Sequence, residues 1–162
     1  MVGGSRKILI VVLLLVILPV SCKLILTNRS KLEYGQVVDV IDGDTIKVEI
    51  NGSLEKVRYI GVDTPETKHP TKSVQYFGRE AFQFNKKLVD GKKVRFVKDV
   101  SQRDKYGRLL RYVYVDDIFV NAELVKQGYA YASTYPPDIK YASFFYLLQR
   151  RAREKKRGLW GK

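Results

Sequence analysis

Apolar and polar residues alternate from position 36 to 62, most plainly where Ile46, Val48 and Ile50 interleave with Lys47 and Glu49. Successive side chains of a strand point to opposite faces, so this period of two predicts half-buried strands. Asn51-Gly52 is a strong signal for a two-residue hairpin turn, and residues 45–50 and 54–62 are expected to pair antiparallel across it. Residues 93–98 and 111–115 repeat the alternation, and Asp116-Asp117 predicts a tight turn into 118–120. About five short strands suit a small barrel. The period becomes helical over Val74, Phe77, Ala81, Phe84 and Leu88, with Gly91 as a stop. Asn121 is positioned to cap a short helix ending at Gly128. Asp138, after Pro136-Pro137, should open a third helix with the stripe Tyr141, Phe144, Phe145, Leu148 and Ala152, stopped near Gly158.

The amino terminus follows neither period. Residues 8–20 are uninterruptedly apolar, with Arg6-Lys7 before them and Ser21-Cys22-Lys23 after. A charged flank and a short apolar run are the pattern of an export signal. Continued to Leu26 past a snorkelling Lys23, the run is almost long enough to anchor in a bilayer. Pro19-Val20-Ser21-Cys22 also resembles a bacterial lipoprotein cleavage box, departing from it at Pro19. The chain therefore divides into a signal peptide or membrane anchor (1–22), a tether (23–34) and one folded domain (35–162). The domain is expected outside the cytoplasm, secreted or attached to the outer face of the cell membrane.

The 162 residues are 45% hydrophobic and 29% charged, ordinary values for one packed domain and too apolar for a disordered chain. Charge is the unusual quantity. Thirty Lys and Arg oppose 17 Asp and Glu, a net +13. Residues 1–21 hold only two of the basic residues and no acid, so the rest keeps +11. Such a field favours polyanions. Positions 140–162 alone carry eight basic residues against Glu154. One Cys and one His cannot build a four-ligand Cys/His zinc site, and no phosphate-cradling glycine loop is present. Any metal would have to be held by oxygen.

Three short stretches gather what phosphodiester chemistry needs: Asp42-Gly43-Asp44-Thr45, the run from Arg58 to Glu66, and Asp104-Lys105-Tyr106-Gly107-Arg108. Asp44 and Asp63, at the ends of neighbouring strands, could meet around a hard cation with a turn carbonyl such as that of Thr64, water filling the rest. Each stretch also has a purely structural reading. Asp-Gly is a turn signal, and Asp63-Thr64-Pro65-Glu66 has the composition of a helix start. Arg58 favours the chemical reading. Alternation puts it on the face of Ile60 and Val62, where a charge is costly unless paired or used. A guanidinium offers forked donors suited to phosphate, and Arg108 could supply a second fork. Two arginines and a dication facing one phosphate would stabilise a pentacoordinate transition state.

These stretches together resemble the staphylococcal nuclease (thermonuclease) family. The likeness covers roughly residues 35 to 160 and includes Ile41-Asp42-Gly43-Asp44-Thr45, Val62 to Pro70, and Asp104 to Arg108 in the same order and spacing. It implies a five-stranded OB-fold barrel with three helices, an α+β arrangement. It also implies a calcium-dependent endonuclease that cuts the P–O5′ bond of DNA and RNA and leaves 3′-phosphates. By the same likeness Asp44 and Asp63 hold calcium through carboxylates and Thr64 through its carbonyl. Glu66 contacts the attacking water, and Arg58 and Arg108 clasp the phosphate. Lys105, Tyr106 and Tyr135 are expected substrate contacts, and His69 is structural or adjacent to substrate. A departure follows Ala132. Ser133-Thr134-Tyr135-Pro136-Pro137 offers one tyrosine where the family has two, which weakens the expected base stacking. Expected partners are DNA and RNA, preferably single-stranded or locally opened, with the protein a monomer. The competing reading is a non-catalytic OB-fold module that binds nucleic acid at the cell envelope.

Overall fold

A computed structural model describes residues 33–67, 73 and 75–161. The apolar segment 1–22, most of the tether, His69 and Val74 lie outside the described residues. The strands are β1 (Glu33–Asp42), β2 (Thr45–Ile50), β3 (Ser53–Tyr59), β4 (Val62–Asp63), β5 (Lys93–Val97), β6 (Leu109–Val115), β7 (Ile118–Phe119) and β8 (Tyr131–Ala132). The helices are α1 (Gly78–Val89), α2 (Val120–Lys126) and α3 (Ala142–Glu154), with a final 3₁₀ turn at Gly158–Trp160.

Five strands close on themselves in the order β1, β2, β3, β6, β5 and back to β1. Every pair in the ring is antiparallel except β3–β6, which closes it in parallel. This is the expected OB-fold barrel with three helices. The Asn51-Gly52 turn forms with both residues at positive φ and pairs Ile50 with Ser53. Glu33 and Tyr34, assigned by sequence to the tether, are the first rungs of β1, opposite Phe96 and Arg95.

The core is filled by the inward positions of the strands: Ile46, Val48, Val57, Val94 and Val113. Leu124, Val125 and Phe145 join them from α2 and α3. Each such side chain, removed from water, stabilises the fold by about 1.5–3 kcal/mol.

Four expectations are corrected where regular periods end. The strand expected over 54–62 stops at Tyr59, and Gly61, at φ +77, turns the chain into the two-residue β4. Arg58 accordingly lies opposite Val57 and Tyr59 on the outer face of β3, and does not share the face of Ile60 and Val62. Asn121 does not cap α2. The helix starts one residue earlier, and the buried amide takes the N–H of Val113 (2.9 Å) and donates to the Ile60 carbonyl (2.9 Å). Asp138 does not open α3, which begins at Ala142. Its carboxylate instead caps the N–H groups of Val100 and Ser101 at 2.9 and 2.8 Å. Among the described residues Asp63-Thr64-Pro65-Glu66 does not open a helix; Asp63 ends β4 and residues 64–66 are irregular.

Candidate active site

Asp44 sits in the tight turn between β1 and β2 and is 5% exposed. Its carbonyl accepts from Tyr59 N at 3.0 Å, tying the turn to the end of β3. Its carboxylate accepts from Thr45 Oγ1 (3.0 Å), Thr64 N (2.8 Å) and Thr64 Oγ1 (3.0 Å). This close approach explains Gly43, because a Cβ there would fall 2.7 Å from Thr64 Oγ1. Asn85, fully buried on α1, donates to the Asp42 carbonyl (3.0 Å) and accepts from Tyr59 Oη (3.0 Å), bracing the turn from beneath.

Register brings Arg58 to this carboxylate. Thr45 of β2 is the cross-strand partner of Arg58, so Asp44 lies diagonally beside it. The guanidinium spans two acids. Nη1 forms an ion pair with Asp44 Oδ2, and Nη2 donates to Asp63 Oδ1 at 2.6 Å. Nη1 is buried without an aligned hydrogen-bond acceptor. The Arg58 side chain is 18% exposed, whereas that of Asp63 is 55% exposed and open to solvent on its far side. Burial holds the Asp63 carboxyl above its ordinary range, reinforced by the charges of Asp44 and Glu66 and opposed by Arg58.

Glu66 belongs to the same cluster. Its backbone is tied to Gln75 in both directions, Glu66 N to Gln75 Oε1 at 2.9 Å and Gln75 N to Glu66 O at 3.0 Å. Its carboxyl shares a hydrogen bond with Asp42. Burial and that bond push Asp42 up to about 6, against the pull of the Gly43 N–H and the Thr67 hydroxyl. Asp42 was not among the residues singled out from sequence.

The third stretch folds around its own acid. Asp104 Oδ1 accepts from Tyr106 N (2.9 Å) and Arg108 N (3.0 Å), while Oδ2 accepts from Arg108 Nε (2.7 Å). Burial raises the Asp104 carboxyl, but these donors together outweigh it and hold the group below its ordinary range. The parallel rung Val57–Leu109 sets Arg108 and Arg58 on either side of the barrel's closing seam. Both arginines line one cleft of about 720 Å³ together with Gly61, Lys105, Tyr106 and Tyr135. Tyr106 and Tyr135 are 72% and 75% exposed. Arg58 is the residue common to the cleft wall and the carboxylate pair.

The donors fit a hard cation. Asp44 and Asp63 offer only oxygen and already converge on a positive charge, that of Arg58, and Asp63 is exposed enough for water or phosphate to complete a coordination sphere. Among the described residues no group of three or more His, Cys, Asp or Glu forms a closed cage. An ion here would rest on the carboxylates of Asp44 and Asp63 and the carbonyl of Thr64. Every site residue expected from sequence except His69 is described. The structure brings Asp44, Arg58, Asp63, Thr64 and Glu66 into one group and Arg58, Lys105, Tyr106, Arg108 and Tyr135 around one cleft.

A family model described as staphylococcal nuclease homologue matches residues 56–162. The chain belongs to the staphylococcal nuclease family. The matched span includes Arg58, Asp63, Glu66 and Arg108, while Asp44 lies ahead of it. Relatives extend the similarity further. Endonuclease YncB of Bacillus subtilis is 46% identical over 137 residues, covering 83% of this chain and 65% of the relative. The thermonuclease of Staphylococcus intermedius is 45% identical over 75% of this chain and 72% of its own length. That of Staphylococcus hyicus is 41% identical over 83% and 79%. The chain thus spans just under two thirds of the first of these and somewhat more of the other two.

Proposed function

We propose that this protein is a calcium-dependent nuclease that hydrolyses phosphodiester bonds of DNA and RNA. The observation that carries the reading is Arg58, one guanidinium shared between an acidic pair suited to a hard cation and a cleft walled by a second arginine. Asp44, Asp63 and the Thr64 carbonyl would hold calcium. The ion supplies Lewis-acid polarisation of a phosphate oxygen and of water. Arg58 and Arg108 place forked donors on the phosphate and offset the negative charge that grows as water adds to phosphorus. Glu66 orients that water through a carboxylate oxygen and accepts its proton, its side chain steadied by the Asp42 hydrogen bond. Cleavage of P–O5′ leaves a 3′-phosphate. Tyr106, Tyr135 and Lys105 offer two ring faces and an ammonium to the adjoining nucleotides. The basic charge draws the polymer in.

We also propose export, with the domain working outside the cytoplasm as a monomer, secreted or held at the membrane. Its support is the apolar run at 8–20 behind Arg6-Lys7. The test is cleavage of single- and double-stranded DNA and of RNA across a calcium titration, with end-group analysis. Degradation that chelator abolishes, leaving 3′-phosphate ends, is expected. Folded, calcium-saturated protein that leaves every polymer intact would overturn the proposal, and binding without cleavage would move it to the non-catalytic module.

A further inference from the structure

Residues 131–134 run in the opposite direction alongside α3 and the 3₁₀ turn that follows it, through polar and aromatic contacts. The Tyr131 ring meets Trp160 edge-on at 5.4 Å, Ala132 N donates to Gln149 Oε1 at 2.9 Å, and Thr134 Oγ1 donates to Tyr146 Oη at 3.4 Å. Ser133 and Tyr135, on either side of Thr134, line the cleft. The flank of α3 that borders this segment therefore begins at the cleft.

Helical spacing sets what that flank carries. From Tyr146, the positions four and seven residues on fall on nearly the same side of the helix, and they are Arg150 and Arg153. The row is about 10 Å long at 1.5 Å per residue. Phe145, Leu148 and Ala152 point to the core instead. Tyr146 is 50% exposed and Tyr131 38%. Arg150 faces Glu154 only in a loose, exposed pair at 3.9 Å, and the Arg153 guanidinium lies over the Trp160 ring at 4.3 Å. Two tyrosine rings, Tyr135 and Tyr146, are followed by two guanidinium groups, Arg150 and Arg153, the second lying over Trp160. Tyr135 and Tyr146 are exposed rings outside the core, whereas Trp160 is half-buried under Arg153 and Tyr131 and serves to seat the guanidinium. Stacking faces next to cations are what binds the unpaired bases and phosphates of a single strand.

We propose that this flank of α3 is an extended binding track for single-stranded polynucleotide, continuing from the cleft past Tyr135 to Tyr146, Arg150 and Arg153. The proposal rests on the nuclease reading for the polymer's placement in the cleft. It predicts that long strands are favoured over short ones because only they reach the far end of the row.

Two variants test it: Tyr146→Ala, and the double variant Arg150→Gln with Arg153→Gln, each checked for native circular dichroism. The first readout is the ratio of kcat/KM on a long single strand to that on a dinucleotide-sized phosphodiester. Tyr146→Ala is expected to lower this ratio about tenfold, within the roughly 5- to 150-fold that stacking on one ring is worth, and Tyr146→Phe to keep it, while the double variant should lower it by a similar factor through lost phosphate contacts. The second readout is binding of a single-stranded DNA oligonucleotide of about 20 residues in chelator, where no cleavage occurs. There the double variant should weaken affinity and reduce the slope of log affinity against log salt by about 1.4, two contacts at roughly 0.7 each. A ratio within twofold of wild type together with an unchanged salt slope would overturn the track. So would loss of binding to phosphatidylserine vesicles with oligonucleotide binding intact, which would assign the row to lipid. If the unmodified protein cleaves nothing yet the chelator arm shows the expected losses, the nuclease reading fails and the track stands.

Discussion

Asn121→Ala measures how far the barrel's helices hold the acidic corner in place. Asn121 is wholly buried and satisfies two backbone groups far apart in sequence, the Val113 N–H of β6 and the Ile60 carbonyl in the turn after β3. Alanine removes both partners at once in a place water does not reach. Leaving a buried donor or acceptor without a partner costs about 1–3 kcal/mol each, so the pair together should cost about 4 kcal/mol. A domain of this size has a net stability of roughly 5–15 kcal/mol, so the variant should stay folded with little margin. Trp160 is the single tryptophan, and its fluorescence through a urea titration reports the midpoint and slope. Ile60 and Gly61 form the corner that leads into Asp63, so cleavage activity should fall at temperatures where the variant is still folded. A stability loss under about 1 kcal/mol with an unchanged slope would show that the two groups find other partners, and the bracing argument would be wrong.

Other expected outcomes follow from the same geometry. Glu66→Gln, Arg58→Gln and Arg108→Ala should each lower turnover at least about 10²-fold with native circular dichroism, and wild-type rates would remove the residue from the chemistry. Gly61→Ala forces a side chain to φ +77 and sets its Cβ 2.6 Å from the Phe145 ring, so a loss of about 2–3 kcal/mol is expected in thermal melts. Asp104 titrates below its ordinary range, so the stability it lends the 104–108 loop is present above the usual carboxyl pKa and is lost as pH falls through the folded value. Amide exchange at Tyr106 and Arg108, taken relative to the intrinsic rate at each pH, should therefore rise on acidification. Asp104→Asn should raise that exchange at neutral pH and flatten its pH dependence.

The barrel is legible because its strands keep a clean period of two and its β2–β3 hairpin carries Asn51-Gly52, a dipeptide with few alternative uses. The reactive types were legible because Asp44, Arg58, Asp63, Glu66 and Arg108 stand in short, specific stretches. What escaped was the direction in which individual polar side chains point. Alternation extended through Ile60 puts Arg58 on an apolar face, but β3 ends at Tyr59 and the phase breaks there, Tyr59 and Ile60 both being buried. Asn121 and Asp138 have the composition of helix caps, yet each serves a backbone group far away in sequence, a partner that no local pattern can reveal. Asn85 was invisible for a related reason, being a polar residue on the buried side of α1 whose partners are Tyr59 and the Asp42 carbonyl.

The same distinction explains why the reactive groups sit where they do. Asp44 is in a turn, Asp63 closes a two-residue strand, Glu66 lies in irregular chain, and Arg108 is the residue before β6. A side chain inside a ladder is aimed by the pleat toward the core or straight out, as Arg58 is from β3, and the groups that converge on it come from places where ladders end. Such places lack ladder hydrogen bonds and need substitutes. Here the substitutes are buried or part-buried polar side chains: Asn85 under the Asp44 turn, Asn121 under the corner before Asp63, and Asp104 beneath Arg108. None of the three touches the acidic pair itself, and each belongs to a different element. Replacing any one of them should therefore loosen one member of the group while the other two hold. Substituting Asn85 should disturb divalent-ion affinity through Asp44, whereas substituting Asp104 should leave that affinity intact and weaken phosphate binding through Arg108. Calorimetric titration with calcium alone, then with inorganic phosphate, separates the two. Equal losses from both variants in both titrations would mean that the site is held as one cooperative unit and not by three separate braces.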